Sequence, residues 1–274
     1  MKIASWNVNS LKVRALQVLR FLQKENPDVL VLQEIKQTDK AVDCELFASQ
    51  GWNISIYGQE TYNGVAIISK QEILNPVRGM GGIKVSEKLP YIVFASDSEA
   101  EPDTNQQARI LRGDIGALTI VVVYVPNGQE VGSEKYSYKL NWLDALAVYL
   151  ERLLAQTKNI VLLGDFNIAP QDIDIWNPKN WQGKILCSPP EREALERILS
   201  LGFYDSFRRE HPELQEFSWW DYRMNSFARN HGLRIDLALV TENLRAENTL
   251  IYKDYRSLER PSDHAPIGLE IRDI

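Results

Sequence analysis

The chain has 274 residues, with 31 Lys and Arg against 37 Asp and Glu, a net charge of −6, two cysteines and three histidines. That length buries a core without staples, and Cys44 and Cys187 form no C-x-x-C pair, so a disulfide scaffold and a cysteine-rich zinc site are excluded. No apolar run is long enough to span a bilayer, and a pI near 5.3 means that any polyanionic partner must be met by a local basic strip or by a metal ion.

Ile3 to Trp6 reads as a strand, and Leu11, Ala15, Val18, Leu19 and Leu22 then fall on one helical face. Val29 to Leu32 and Gly64 to Ser69 are buried strands. The polar stretch from Ser96 to Gln107 is an exposed loop. Leu118 to Val125 is a strand that Pro126 ends. Leu140, Leu143, Ala147, Leu150 and Leu154 mark a long amphipathic helix ahead of the strand Ile160 to Leu163. Ser188-Pro189-Pro190-Glu191 carries a helix start, with Ser188 as cap and Glu191 in the capping-box place. Arg234 to Val240 and Ile267 to Ile271 are the last strands. With no repeat, low-complexity tract or linker, one domain over 1–274 is expected, in a reducing cytoplasm.

The chemistry sits where strands end. Asn7 and Asn9 follow the first strand, Gln33-Glu34 the second, Tyr124 closes a third, and Gly164-Asp165-Phe166-Asn167 ends a fourth. Asp236 lies between Ile235 and Leu237, and Ser262-Asp263-His264 precedes the final strand. Each alone reads as a turn former. Carboxylates in otherwise apolar strands, however, cost several kcal/mol or so unless a cation or strong donors meet them. Carboxylates and amides without clustered histidines suit a hard ion, Mg²⁺ or Mn²⁺, rather than zinc.

Trp6-Asn7-Val8-Asn9, Leu32-Gln33-Glu34-Ile35-Lys36, Tyr62-Asn63-Gly64-Val65-Ala66, Tyr124-Val125-Pro126-Asn127 and Gly164 to Pro170 form an ordered series. Phe217 to Arg223, Gly232 to Leu237 and Ser262 to Pro266 complete it. The series resembles the exonuclease III-type DNA repair nucleases of the endonuclease/exonuclease/phosphatase superfamily. That resemblance implies an α/β fold, a four-layered α/β sandwich of two packed mixed β-sheets flanked by helices, DNase I-like.

It also implies roles. Glu34 is the main ligand of Mg²⁺, with Mn²⁺ as a substitute, assisted by Asn7 and Asp263, with Asp165 and Asn167 at the same metal site. Asp165 orients and deprotonates the attacking water, and Asn167 holds that arrangement. His264, oriented by Asp236, contacts a phosphate oxygen, and Tyr124 donates to the developing charge. Trp219, Leu233 and Ile235 match the pocket for a flipped, base-less deoxyribose. Lys12, Tyr62, Asn63 and Asn127 are backbone contacts, and Arg223 and Arg229, around Phe227, enter a groove.

The expected activity is Mg²⁺-dependent hydrolysis of double-stranded DNA at abasic sites and blocked 3′ ends, by a monomer with no membrane partner. Asn9 stands where some relatives carry Asp, and Trp220 where some bacterial members carry Phe. The competing readings are a same-fold phosphoesterase acting on a phosphoinositide, sphingomyelin or RNA, and a binding module that has lost catalysis. One-ion and two-ion schemes stay open.

Overall fold

The computed structural model describes residues 1–85, 92–94 and 107–272, so the stretch from Ser96 to Gln107 lies, Gln107 excepted, outside the described residues. In chain order the strands begin β1 (Lys2–Asn7), β2 (Val29–Gln33), β3 (Asn53–Tyr57), β4 (Val65–Ser69), β5 (Leu74–Arg78), β6 (Ile83–Val85) and β7 (Ile92–Phe94). They continue β8 (Ile110–Ile115), β9 (Leu118–Tyr124), β10 (Ile160–Asp165), β11 (Phe203–Asp205), β12 (Asp236–Thr241), β13 (Arg245–Ile251) and β14 (Ile267–Arg272).

Two six-stranded sheets result, in the orders β13-β14-β1-β2-β4-β3 and β11-β12-β10-β9-β8-β5, beside a ribbon of β6 and β7. Each sheet is mixed. One central parallel pair, β1 with β2 or β9 with β10, is joined through a helix, Leu11–Glu25 or Glu134–Leu154, and its neighbours run antiparallel.

Side-chain alternation along each strand sorts residues into layers. Ile3, Val29, Val31, Val65 and Ile67 of one sheet pack against Leu111, Ile120, Val122, Val161 and Leu163 of the other. The opposite faces carry helices. Ala4, Trp6, Leu30 and Leu32 meet Val18, Phe21 and Leu22, and Val121, Val123, Leu162 and Leu239 meet Trp142, Leu146, Leu150 and Ile198. Each aliphatic side chain buried this way stabilises the fold by about 1.5–3 kcal/mol relative to exposure. The order helix, sheet, sheet, helix is the four-layered α/β sandwich.

The buried stripe of helix Glu134–Leu154 runs through Tyr136, Lys139, Trp142, Leu143, Leu146, Tyr149, Leu150 and Leu153. Leu140, Ala147 and Leu154 are only half-buried. Counting aliphatic residues alone rotates the expected face, because two tyrosines, a tryptophan and a lysine share the buried one. The sequence reading names no strand at β3, β5, β6, β7, β8, β11 or β13. Of these, β3, β5, β11 and β13 are the sheet edges, and the mixed burial of β3, β5 and β13 leaves them little alternation to detect. The inner strand β8 escapes because Arg112, Gly113 and Asp114 interrupt its apolar run. Among the described residues, no helix is long and apolar enough to cross a membrane.

Candidate active site

The strand registers bring the polar residues together. In the second sheet Asp165 pairs with Tyr124 on one side and Asp236 on the other, so three site residues form one row across β9, β10 and β12. In the first sheet Asn7 pairs with Gln33, and Glu34 follows directly. Asn7, Gln33, Tyr124, Asp165 and Asp236 share the parity of the inter-sheet core residues, and Glu34, just past the end of β2, joins them, so the site is the open end of the interface between the sheets.

Local backbone aims these groups. Glu34 and Asn167 take left-handed φ values of 52° and 50°, conformations that cost on the order of 1–3 kcal/mol at non-glycine residues and cluster at functional sites. Gly164 has φ 148°, and a Cβ there would stand 2.0 Å from the Val123 carbonyl oxygen, so only glycine lets β9 and β10 close beneath Asp165.

Asn7 Nδ2 lies 2.8 Å from Glu34 Oε1 and 2.9 Å from Asp165 Oδ2, donating to both carboxylates. Its Oδ1 accepts from the Asn9 amide at 3.0 Å. The Asn167 backbone N–H donates to Asp165 Oδ1 at 2.9 Å, and its Nδ2 reaches Val125 O at 3.0 Å. Asn127 Nδ2 donates to Asn167 Oδ1 at 3.1 Å. His264 Nδ1 lies 2.9 Å from Asp236 Oδ2, and its Nε2 lies 3.7 Å from Asp165 Oδ2. One donor atom each from Glu34, Asp165 and His264 lies within 4.8 Å of the other two.

Electrostatics follow from burial and crowding. Burial pushes the Asp165 carboxyl up to about 7, with Asp236 and Glu34 adding to the rise and His264 and Asn7 opposing it. Burial works against the charged His264 imidazole, but Asp236 and then Asp165 outweigh it and push the ring up to about 10. Burial, with Glu34 next, holds the Tyr124 hydroxyl protonated well above its ordinary range. Burial opposes ionisation of Asp263, yet His264, Trp219 and Asn9 hold its carboxyl below the usual value. Two carboxylates at one mouth beside oxygen-rich amides fit a hard divalent cation, and a cation there would relieve the charge that raises Asp165.

Asp263 stands one step back, its oxygens taken by Asn9 Nδ2 and Trp219 Nε1, each at 3.0 Å. Leu233 and Ile235 are fully buried with Ala169, Ile175, Leu186 and Cys187, and Trp219 is the half-buried member above them. Tyr62, Lys12, Asn127, Arg223 and Arg229 are exposed, whereas Asn63 is buried and donates to Gln59 Oε1 at 3.0 Å. Arg223 is held by Asp221.

Sequence reasoning assigned no role to several supporting groups. Lys36 Nζ bridges Glu34 Oε2 at 2.8 Å and Asn9 Oδ1 at 2.6 Å. Ser218 Oγ donates to Asp236 Oδ2 at 2.6 Å, and Ser262 Oγ donates to the Asn7 carbonyl at 2.7 Å. Lys139 is buried behind Asn167. Its signal was a lysine in step with Tyr136 and Leu143 on the apolar helix face.

The model of the Endonuclease/Exonuclease/phosphatase family matches residues 4–264. Exodeoxyribonuclease III of Haemophilus influenzae is 36% identical over 286 residues, covering 99% of this chain and 100% of that protein. DNA repair nuclease APEX1 of Danio rerio is 31% identical, covering 98% of this chain and 81% of that one. Among solved structures, the 3′ phosphatase NExo from Neisseria, bound to a product DNA hairpin, superposes with a TM-score of 0.90 at 37% identity over 100% of both chains. An AP endonuclease from Archaeoglobus fulgidus gives 0.87 at 32% identity, again over 100% of both.

Proposed function

The chain belongs to the endonuclease/exonuclease/phosphatase family, and on that premise we propose that it is a metal-dependent DNA repair nuclease, incising DNA 5′ to abasic sites and processing 3′ ends. The observation that carries this reading is the convergence of Glu34, Asp165 and His264 donor atoms within 4.8 Å at the mouth between two sheets.

Phosphodiester hydrolysis needs a barrier reduction of roughly 20 kcal/mol, of which proton transfer supplies only about 10²–10⁴-fold in rate, so positioning and charge stabilisation carry the rest. Glu34 would hold the divalent ion, with Asn7 and Asp263 assisting directly or through water, and the donor chemistry favours Mg²⁺ with Mn²⁺ as a substitute. When bound, the ion would polarise the phosphate and stabilise the leaving oxygen. Asp165 takes the proton of the attacking water. A carboxyl raised towards neutrality by burial suits that task, and Asn167 locks its orientation from backbone and side chain together. His264 Nε2 donates to a non-bridging phosphate oxygen while Asp236 keeps the ring charged. Tyr124 donates its retained proton to the developing negative charge.

For substrate selection, Trp219 is the accessible wall of the deoxyribose pocket, and Leu233 and Ile235 shape it from beneath. Lys12, Tyr62 and Asn127 lie exposed where they can meet the DNA backbone, and Arg223 would exchange its Asp221 partner for a phosphate. Both sheets contribute to one site, which supports a single domain over 1–274. The working form is taken as a cytoplasmic monomer.

The test compares initial rates on duplexes carrying a tetrahydrofuran abasic analogue, a 3′-phosphate or a blunt 3′-hydroxyl, with Mg²⁺ or with EDTA. Incision and 3′-phosphate release are expected with Mg²⁺ alone. A chain inert on all three duplexes, but active on a phosphoinositide or RNA, would replace DNA as the substrate.

A further inference from the structure

Lys139 lies in the second turn of helix Glu134–Leu154 and is 0% exposed. A fully buried ammonium needs strong acceptors. Here its Nζ reaches the Asn167 carbonyl at 2.6 Å, the Asn127 carbonyl at 3.2 Å and the Glu191 carboxylate. Those acceptors come from the segment after β9, the segment after β10 and the first turn of helix Pro189–Ser200. Glu191 is itself fixed, since its carboxylate accepts the N–H groups of Leu186 at 3.0 Å and Ser188 at 2.9 Å.

The two carbonyls matter because of the residues that own them. Asn167 is in the left-handed region at φ 50°, and its N–H and Nδ2, with Asn7 Nδ2, donate to the Asp165 carboxylate. Asn127 Nδ2 in turn holds Asn167 Oδ1. A residue in that conformation persists only when its surroundings over-determine it. Lys139 supplies the tie on the carbonyl side, and Gly128 leaves it room, since a Cβ there would stand 3.0 Å from Lys139 Cδ.

We infer that Lys139 is a positioning residue of the hydrolytic site: by binding the carbonyls of Asn127 and Asn167 it fixes the asparagine pair that orients Asp165. The inference rests on the reading of Asp165 as the water-activating group. Lys139 touches neither substrate nor metal, and Glu191 serves to balance its charge. A tether of this kind acts on the geometry of the reacting groups, where misplacement by an ångström is worth about a hundredfold in rate.

The experiment uses the full chain with Lys139→Met and with the charge-neutral pair Lys139→Met/Glu191→Gln, the fallback if the single variant is not recovered folded. Two quantities are read: kcat and KM on the tetrahydrofuran duplex with Mg²⁺, and hydrogen exchange of the Asn167 N–H relative to Leu163 in β10. The expected result is a kcat lower by about ten- to hundredfold with KM within about threefold. Exchange at Asn167 is expected to be faster, with Leu163 unchanged, in both variants. A kcat within twofold of wild type, or a reduced kcat with Asn167 exchange unaltered, overturns the inference. If the wild-type chain hydrolyses no DNA, the functional reading falls instead, and exchange at Asn167 alone decides the tether.

Discussion

His264 Nδ1 lies 2.9 Å from Asp236 Oδ2, while the other ring nitrogen faces Asp165 Oδ2 at 3.7 Å. The imidazole is therefore clamped between an acid at its back and the water-activating acid in front. Ser218 fixes the rear acid, donating to the same Asp236 oxygen and receiving the Asp236 N–H at 3.0 Å. The clamp explains how a fully buried ring stays charged: burial alone would neutralise it, and two carboxylates reverse that preference.

Asp236→Asn removes the stronger of the two anions. The His264 pKa then falls from about 10, with only Asp165 and Asp263 left to oppose burial, and the protonated form is lost at lower pH than in the wild type. The alkaline limb of the pH–rate profile should move to lower pH, with kcat/KM reduced by about a hundredfold at neutral to alkaline pH and by less in acid. A profile of unchanged shape would count against the pairing.

Asp165→Asn should reduce kcat by at least about 10³-fold while leaving the fold intact. It should also stabilise the protein. A carboxyl whose pKa rises from 3.8 to about 7 on folding contributes its full stability only below its unfolded value, and that contribution is lost as pH rises through about 7. In EDTA, the wild-type thermal midpoint should therefore fall between pH 4 and pH 8 more steeply than the variant's. Parallel curves would sink this account of Asp165.

Glu34→Gln tests the proposed cation. Removing one of two crowded carboxylates should raise the Mg²⁺ concentration for half-maximal rate by about ten- to hundredfold. DNA affinity in EDTA, read by fluorescence anisotropy, should hold or improve, since a negative charge has left the mouth. An unaltered metal requirement would place the ion elsewhere.

Gly164→Ala probes the strand pair beneath the site. The new Cβ would meet the Val123 carbonyl oxygen at 2.0 Å, on backbone that cannot retreat without breaking the β9–β10 ladder. The expected loss is about 3 kcal/mol or more, visible as a lower urea midpoint. A midpoint near that of the wild type would mean that the strands separate more easily than their register implies.

Much of this protein was legible in one dimension, because strand identity and motif order are local. Apolar runs marked the central strands β1, β2, β4, β9, β10, β12 and β14, and the polar residues at their ends marked Asn7, Glu34, Tyr124, Asp165, Asp236 and Asp263-His264 as groups that must share a purpose. Sheet edges escaped, since a strand exposed on one side carries little alternation, and so did the inner strand β8, whose apolar run is broken by Arg112, Gly113 and Asp114.

Register and stacking were decided only in three dimensions. Asp165 lies beside both Tyr124 and Asp236 because hydrogen-bond ladders align strands far apart in sequence, and it meets Glu34 because two sheets pack face to face. The supporting groups are of the same kind. Lys139 reads as a misplaced cation on an apolar helix face until the fold sets two backbone carbonyls and Glu191 around it, and no side chain reports in sequence which carbonyls it will find. A sequence determines what each residue can donate, accept or bury. Long-range packing determines which partners come within 3 Å, and the reactivity of a buried acid or imidazole depends on those partners.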